Sequence, residues 1–251
     1  MKTKRRIKMA LTLFLCFMMA VAFMACSSQQ TAGPSVFAVG ANPSGIAIDA
    51  SGNVWVADQG SNTVTELNSG GTLLGNFAVG NNPSAIAIDA SGNVLVANQG
   101  SNTVTELNSG GAVLGTFTVG TNPSGIAIDA LRNVWVANQG SNTVTELSSS
   151  GALLGTFAVG NESVGIAIDS AGNVWVTNYG SISVPGNTVT ELGPTGALIN
   201  TFAVENNPSG IAIDSVGNVW VTNYGYASVI SLGGVATGPE FFPYSGPIWP
   251  L

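Results

Sequence analysis

Histidine is absent from all 251 residues. That excludes a Ser–His pair, an imidazole general base and a His-ligated metal. Positive charge is nearly as scarce. Lys2, Lys4, Arg5, Arg6 and Lys8 fall in the first eight positions, and Arg132 is the only other base. All 13 acidic residues lie beyond residue 48. Once the basic start is removed, one base faces 13 acids. Such a surface repels phosphate backbones and anionic headgroups, so nucleic acid is excluded as a partner. Cysteine is confined to Cys16 and Cys26, which leaves the body of the chain without a disulfide. No helical period of 3.6 and no phosphate loop occur after residue 30.

What is present begins with MKTKRRIKMALTLFLCFMMAVAFMACSSQQ. A basic start, an apolar run over 9–25 and small residues at its end read as an export signal over 1–25. A polar, charge-poor tether follows over 26–34. AVA at 20–22 suits ordinary signal peptidase. FMAC at 23–26 resembles the lipobox of bacterial lipoproteins, with Ala25 before the acceptor Cys26. That resemblance implies lipidation at Cys26 and a cell-envelope location, on the periplasmic face or the cell surface. The membrane is then touched through the lipid alone, and secretion is the alternative.

Phe37, Phe77, Phe117, Phe157 and Phe202 each open a unit beginning FAVG, FTVG or FAVE, at spacings of 40, 40, 40 and 45 residues. Units 37–76 and 77–116 agree at 33 of 40 positions. Each unit contains four runs with period-two alternation, GIAID, NVWVAD, TVTEL and TLLGNFAVG in the first, separated by DASGN, QGSN and NSGG turns. Four strands in about 40 residues is the period of a β-propeller blade. The expected fold is therefore all-β, with five four-stranded blades over 35–233 and six as the alternative. SVFAVG at 35–40 matches the end of a fourth strand, and the last unit has no clear fourth strand. The N-terminal strand is thus expected to close the ring. Residues 234–251 read as an extended tail anchored by Phe241, Phe242 and Trp249. The unit PSGIAIDASGNVWVADQGSNTVTEL, starting at Pro43, resembles NHL-repeat propellers and the related repeats of streptogramin lyases, over 37–232. The resemblance implies the fold; such folds host unrelated activities.

Asp49, Asp89, Asp129, Asp169 and Asp214 open tight turns. Their carboxylates are expected to accept hydrogen bonds from their own turns rather than share a metal. Trp55, Trp135, Trp175 and Trp220, with Leu95 in the second unit, are expected in the core between blades. In propellers of this kind the loops joining strands two and three and those joining blades lie on one face. Here that face would carry amides and hydroxyls, including Gln59, Gln99 and Gln139, with Tyr179 and Tyr224 in the last two units. Unit four departs from the pattern through NESVG (161–165) and five extra residues in GSISVPGN (180–187). Insertions in repeat arrays map to loops, often on the binding face.

Asp58, Glu162, Tyr179, Glu205 and Tyr224 are accordingly the candidate ligand-binding residues, with no catalytic residue, metal or cofactor assigned. Streptogramin lyases rely on histidine, so that activity does not carry over. The expectation is a monomeric envelope module that binds a glycan, peptide or protein. The alternative is a lactonase- or lyase-like enzyme dependent on a metal or on carboxylates such as Asp58, Glu162 and Glu205.

Overall fold

The computed structural model describes residues 35–181 and 185–232. The export segment, the tether with Cys26 and the tail at 234–251 lie outside the described residues. The chain divides into Met1–Ala38 and Val39–Leu251. Of the first unit only 35–38 are described, and they carry no regular structure.

The second unit holds nineteen described strands in five antiparallel sheets. Blade one contains β1 (Pro43–Ile48), β2 (Val54–Asp58), β3 (Thr63–Leu67) and β4 (Leu73–Ala78). Blade two contains β5 (Pro83–Ile88), β6 (Val94–Asn98), β7 (Thr103–Leu107) and β8 (Val113–Thr118). Blade three contains β9 (Pro123–Ile128), β10 (Val134–Asn138), β11 (Thr143–Leu147) and β12 (Leu153–Ala158). Blade four contains β13 (Ser163–Ile168), β14 (Val174–Gly180), β15 (Pro185–Leu192) and β16 (Leu198–Ala203). Blade five has three described strands, β17 (Pro208–Ile213), β18 (Val219–Asn223) and β19 (Ser228–Leu232). Five propeller blades are therefore observed, as the repeat predicts.

Among the described residues the expected closing strand is not present: residues 35–39 carry no strand, and β19 is the last described strand of blade five. Every described ladder joins strands consecutive in the chain.

The turns explain why the strands stop where they do. Asp49 Oδ1 accepts from the backbone N–H groups of Ser51 and Asn53, both at 2.8 Å, and Asp89, Asp129, Asp169 and Asp214 repeat the pattern. The turn also needs a left-handed residue. Gly52, Gly92, Gly172 and Gly217 supply it in four blades, and Arg132 occupies that position in blade three at φ 70°.

The blades pack through one contact used four times. Trp55, Val64 and Phe77 of blade one meet Ile86, Ile88, Val94, Val96 and Leu107 of blade two. The corresponding residues join blades two and three, three and four, and four and five. Trp55, Trp135, Trp175 and Leu95 are core, as expected, whereas Trp220, expected there too, is 44% exposed because no described blade packs on its side. Trp55, Trp135 and Trp175 stack on Phe77, Phe157 and Phe202 with ring centroids 5.4–5.7 Å apart. Each junction is also pegged by a hydroxyl. Ser44 Oγ donates to Pro83 O and Ser84 Oγ to Pro123 O, both at 2.8 Å. Ser124 Oγ donates to Ser163 O at 2.9 Å and Thr177 Oγ1 to Ser209 O at 3.0 Å.

Candidate functional site

The loop face is assembled by backbone bonds between the blade-entry turn and the turn that joins strands two and three. In blade one the N–H groups of Gln59 and Gly60 donate to Asn42 O and Ala41 O at 3.0 and 2.8 Å. Neighbouring blades are tied at the same level, where Asn62 Oδ1 accepts from the Asn82 N–H at 2.8 Å. The sequence-based assignment of these two loops to one face therefore holds.

Across this face runs a row of side-chain amides. Gln59 Nε2 donates to Gln99 Oε1 at 3.4 Å, and Gln99 Nε2 donates to Gln139 Oε1 at 3.5 Å. Gln139 Nε2 then donates to a carboxylate oxygen of Glu162 at 3.5 Å. These contacts sit at the long end of hydrogen bonding, so each is weak and its partners can be turned toward a ligand at little cost. The row ends at blade four because Tyr179 stands where a fourth glutamine would. The Tyr179 N–H donates to Glu162 O at 3.0 Å, so the two candidates are direct neighbours. Asn207 connects them onward: its Nδ2 donates to Tyr179 O at 3.0 Å, and its carbonyl accepts from the Tyr224 N–H at 2.9 Å. Tyr224 is 78% exposed. Glu205 lies at the same end of blade five, where its carboxylate accepts from Ser228 Oγ.

Glu162 sits at φ 50°, the position that Asn42, Asn82, Asn122 and Asn207 hold at φ 50–57°. Asparagine tolerates the left-handed region, while glutamate pays about 1 kcal/mol there. The break in the repeat thus places a carboxylate on the face at a small cost in stability.

Asp58 departs from its expected place. It is fully buried, and its Oδ2 accepts from Thr63 Oγ1 at 3.3 Å and Thr65 Oγ1 at 2.6 Å. Gly40 lies so close that a Cβ there would meet Asp58 Oδ2 at 2.6 Å. Asn98, Asn138, Asn178 and Asn223 fill the same buried position in the other blades, so Asp58 belongs to the sheet end and not to the exposed face. The unit-four insertion extends the central hairpin of its blade, with Gly180 paired to Pro185; residues 182–184 lie outside the described residues.

The opposite end of the blades holds a second set of acids. Asn53 Nδ2 bridges to Glu66 Oε1 at 3.1 Å, with Asp49 beside it, and blades two, three and four repeat the group at Glu106, Glu146 and Glu191. Burial, and then the charge of the neighbouring Asp, push all four glutamates above their ordinary 4.5. Their repetition blade after blade marks them as framework. Sequence reasoning missed them; the signal was the Glu kept in every complete TVTEL.

Blade two is the exception at this end. Elsewhere a tryptophan Nε1 donates to the turn aspartate at 3.0–3.3 Å. Leu95 has no such donor, and Arg132 of blade three comes within 3.5 Å of Asp89 Oδ2 instead. A cavity remains there, lined in part by Asp89, Leu95, Glu106, Phe117 and Arg132. Among the described residues, no three acids gather closely enough to hold a metal ion.

Comparison with known proteins agrees with the fold. The NHL repeat model matches residues 41–66. The chain resembles virginiamycin B lyase from Staphylococcus aureus at 16% identity and TM-score 0.64, over 76% of this chain and 69% of that one. It resembles a streptogramin B lyase at 15% identity and TM-score 0.55, over 81% and 86%. It resembles hydrazine synthase from Kuenenia stuttgartiensis at 17% identity and TM-score 0.64, over 80% and 68%. No curated protein matches the chain by sequence.

Proposed function

From a β-propeller of the NHL type with an NHL repeat in its first blade, we propose an exported binding module, anchored through a lipid at Cys26, that holds a glycan, peptide or protein partner on its loop face. One observation carries the reading: the amide row ends on Glu162 beside Tyr179, where the repeat is broken, with Tyr224 next along the face. Amide donors and acceptors, one carboxylate and two phenol rings suit an uncharged polar ligand with a flat apolar side. The scarcity of basic side chains speaks against phosphorylated or strongly acidic partners. Lactonase- or lyase-like chemistry is the second reading. The shared fold favours it, and Glu162 and Glu205 would be its carboxylates.

The test is a thermal melt of the mature protein against a panel of glycans and cell-wall peptides, with a Ca²⁺ arm. A ligand at about 100 times its dissociation constant adds about 2.7 kcal/mol, which for about 200 residues raises Tm by roughly 5–10 °C. The expected result is a shift with a glycan or peptide that disappears in Tyr179→Ala and in Glu162→Asn. The latter restores the residue the other blades carry, so it removes the carboxylate without harming the turn. A shift with Ca²⁺ that Glu162→Asn abolishes would transfer support to the enzymatic reading. Acylation is checked separately by palmitate labelling of the cells, which Cys26→Ser should abolish.

A further inference from the structure

Among the described residues, blades one and five each pack against another blade on one side only, and side chains on their other sides are exposed. Ile46 and Ile48 on β1 are 67% exposed. Their counterparts Ile86, Ile88, Ile126, Ile128, Ile166 and Ile168 pack against the preceding blade. On blade five, Trp220 is 44% and Val229 60% exposed. Their counterparts Trp55 and Trp135, and Val64, Val104, Val144 and Val189, are fully buried. The two open sides are therefore the two halves of the contact that joins the blades internally four times. Among the described residues, blade five also has three strands where the four other blades have four. The segment matching that fourth strand, SVFAVG at 35–40, leads directly into blade one, just as FAVG and FTVG lead into blades two, three and four.

We propose that a second copy of the chain covers blade five. Its residues 35–40 would add alongside β19 as the fourth strand, and its Ile46 and Ile48 would cover Trp220 and Val229. The surface it uses continues an interface already present four times in the protein, and it is head-to-tail, because leading and trailing sides differ. Strand addition to an exposed edge supplies main-chain hydrogen bonds, and the apolar side chains on the two blades supply burial. This replaces the monomer expected from sequence. The proposal stands apart from the loop-face reading, since Ile46, Ile48, Trp220 and Val229 belong to no part of that site.

The register within blades fixes a test. Phe77 pairs with Val64, and Phe202 with Val189, so residue 37 of one copy should face residue 229 of the next, within disulfide reach. The mature protein without residues 1–26 contains no cysteine. Phe37→Cys and Val229→Cys are made separately, checked for an intact melt, mixed and oxidised. The expected result is a covalent dimer from the mixture and none from either alone. The unsubstituted protein should show a mass of two copies or more by light scattering at tens of micromolar. If the doubly substituted chain instead closes on itself at every concentration, the strand completes its own ring and the proposal fails. A monomeric mass with no cross-link in the mixture overturns it as well. Glycan or peptide melts of the single-cysteine variants should keep their loop-face shifts, so the two readings fail separately.

Discussion

Replacing Leu95 by tryptophan and Arg132 by glycine together should stabilise the protein, although neither change should do so alone. Blade two is the one blade whose turn aspartate lacks an indole donor, and Arg132 now stands at 3.5 Å from that aspartate. An indole at 95 would regain a hydrogen bond to the Asp89 carboxylate, worth about 1.5 kcal/mol. It would also regain a stack on Phe117 like that of Trp55 on Phe77 at 5.7 Å, worth about 1 kcal/mol. Removing Arg132 relieves a left-handed residue at φ 70°, about 1 kcal/mol. It costs a half-exposed ion pair at about 0.5 kcal/mol and the extra chain entropy of glycine at about 1 kcal/mol. The net gain is about 2 kcal/mol, or roughly 4–8 °C in Tm for a unit of this size. Alone, Leu95→Trp meets the Arg132 side chain in the space it needs, and Arg132→Gly leaves Asp89 without its cation. A double-mutant cycle by thermal or urea melting should therefore show favourable coupling of about 2 kcal/mol. If the double variant is no more stable than the better single variant, the cavity is not an indole-shaped gap and the account of this junction is wrong.

Two further outcomes follow from the packing and the charges. Trp135→Leu removes a fully buried indole, its 3.1 Å bond to Asp129 and its stack on Phe157; it should cost about 3 kcal/mol. Trp220→Leu, measured at concentrations low enough to keep copies apart, should cost about 1.5 kcal/mol, mainly its 3.0 Å bond to Asp214; losses equal to those of Trp135→Leu would contradict the exposure described for blade five. Stability should also peak in mild acid. The four glutamates raised by burial, Glu66, Glu106, Glu146 and Glu191, ionise at higher pH in the folded than in the unfolded chain. Their contribution is thus complete below about 4.5 and declines as pH rises through the folded values. Asp214 acts in the opposite sense. Bonds from Trp220 and Asn218 hold it down to about 2, so its contribution is lost as pH falls from 3.8 toward that value. Tm should therefore be maximal near pH 4–4.5, and Gln at all four glutamate positions should flatten the decline toward pH 7. A Tm that climbs steadily from pH 4.5 to 7 would refute this.

The blades were legible because each is made of contacts local in sequence. Alternation in GIAID and NVWVAD, and an aspartate at each turn, need only a few neighbouring residues to be read. The failures all involve partners that such a window does not contain. The turn rule assigns Asp49 its bonds two and four residues on but says nothing of its second oxygen, which takes the Trp55 indole. Asp58 carries a charge at a strand end and was placed on the surface; the backbone of Gly40, eighteen residues earlier, seals it in. The Glu in TVTEL belongs to the polar half of an alternating strand, and in blades one, three and four that half is buried too. On the loop face, Glu162 and Tyr179 were found because they break a repeat, while the amide row ending on Glu162 needed coordinates.

The serine pegs at the blade junctions carry a consequence for how such a chain changes over generations. Ser44, Ser84 and Ser124 each reach the backbone at the start of the next blade with nearly the same bond length. Each bond is made to a main-chain oxygen and asks nothing of the side chain beyond it. The peg itself is indifferent to which unit stands next, so it survives the gain or loss of a whole unit, unlike the side-chain contacts Arg132–Asp89 and Gln139–Glu162. The main-chain part of each junction is thus the part that tolerates a change in the number of blades.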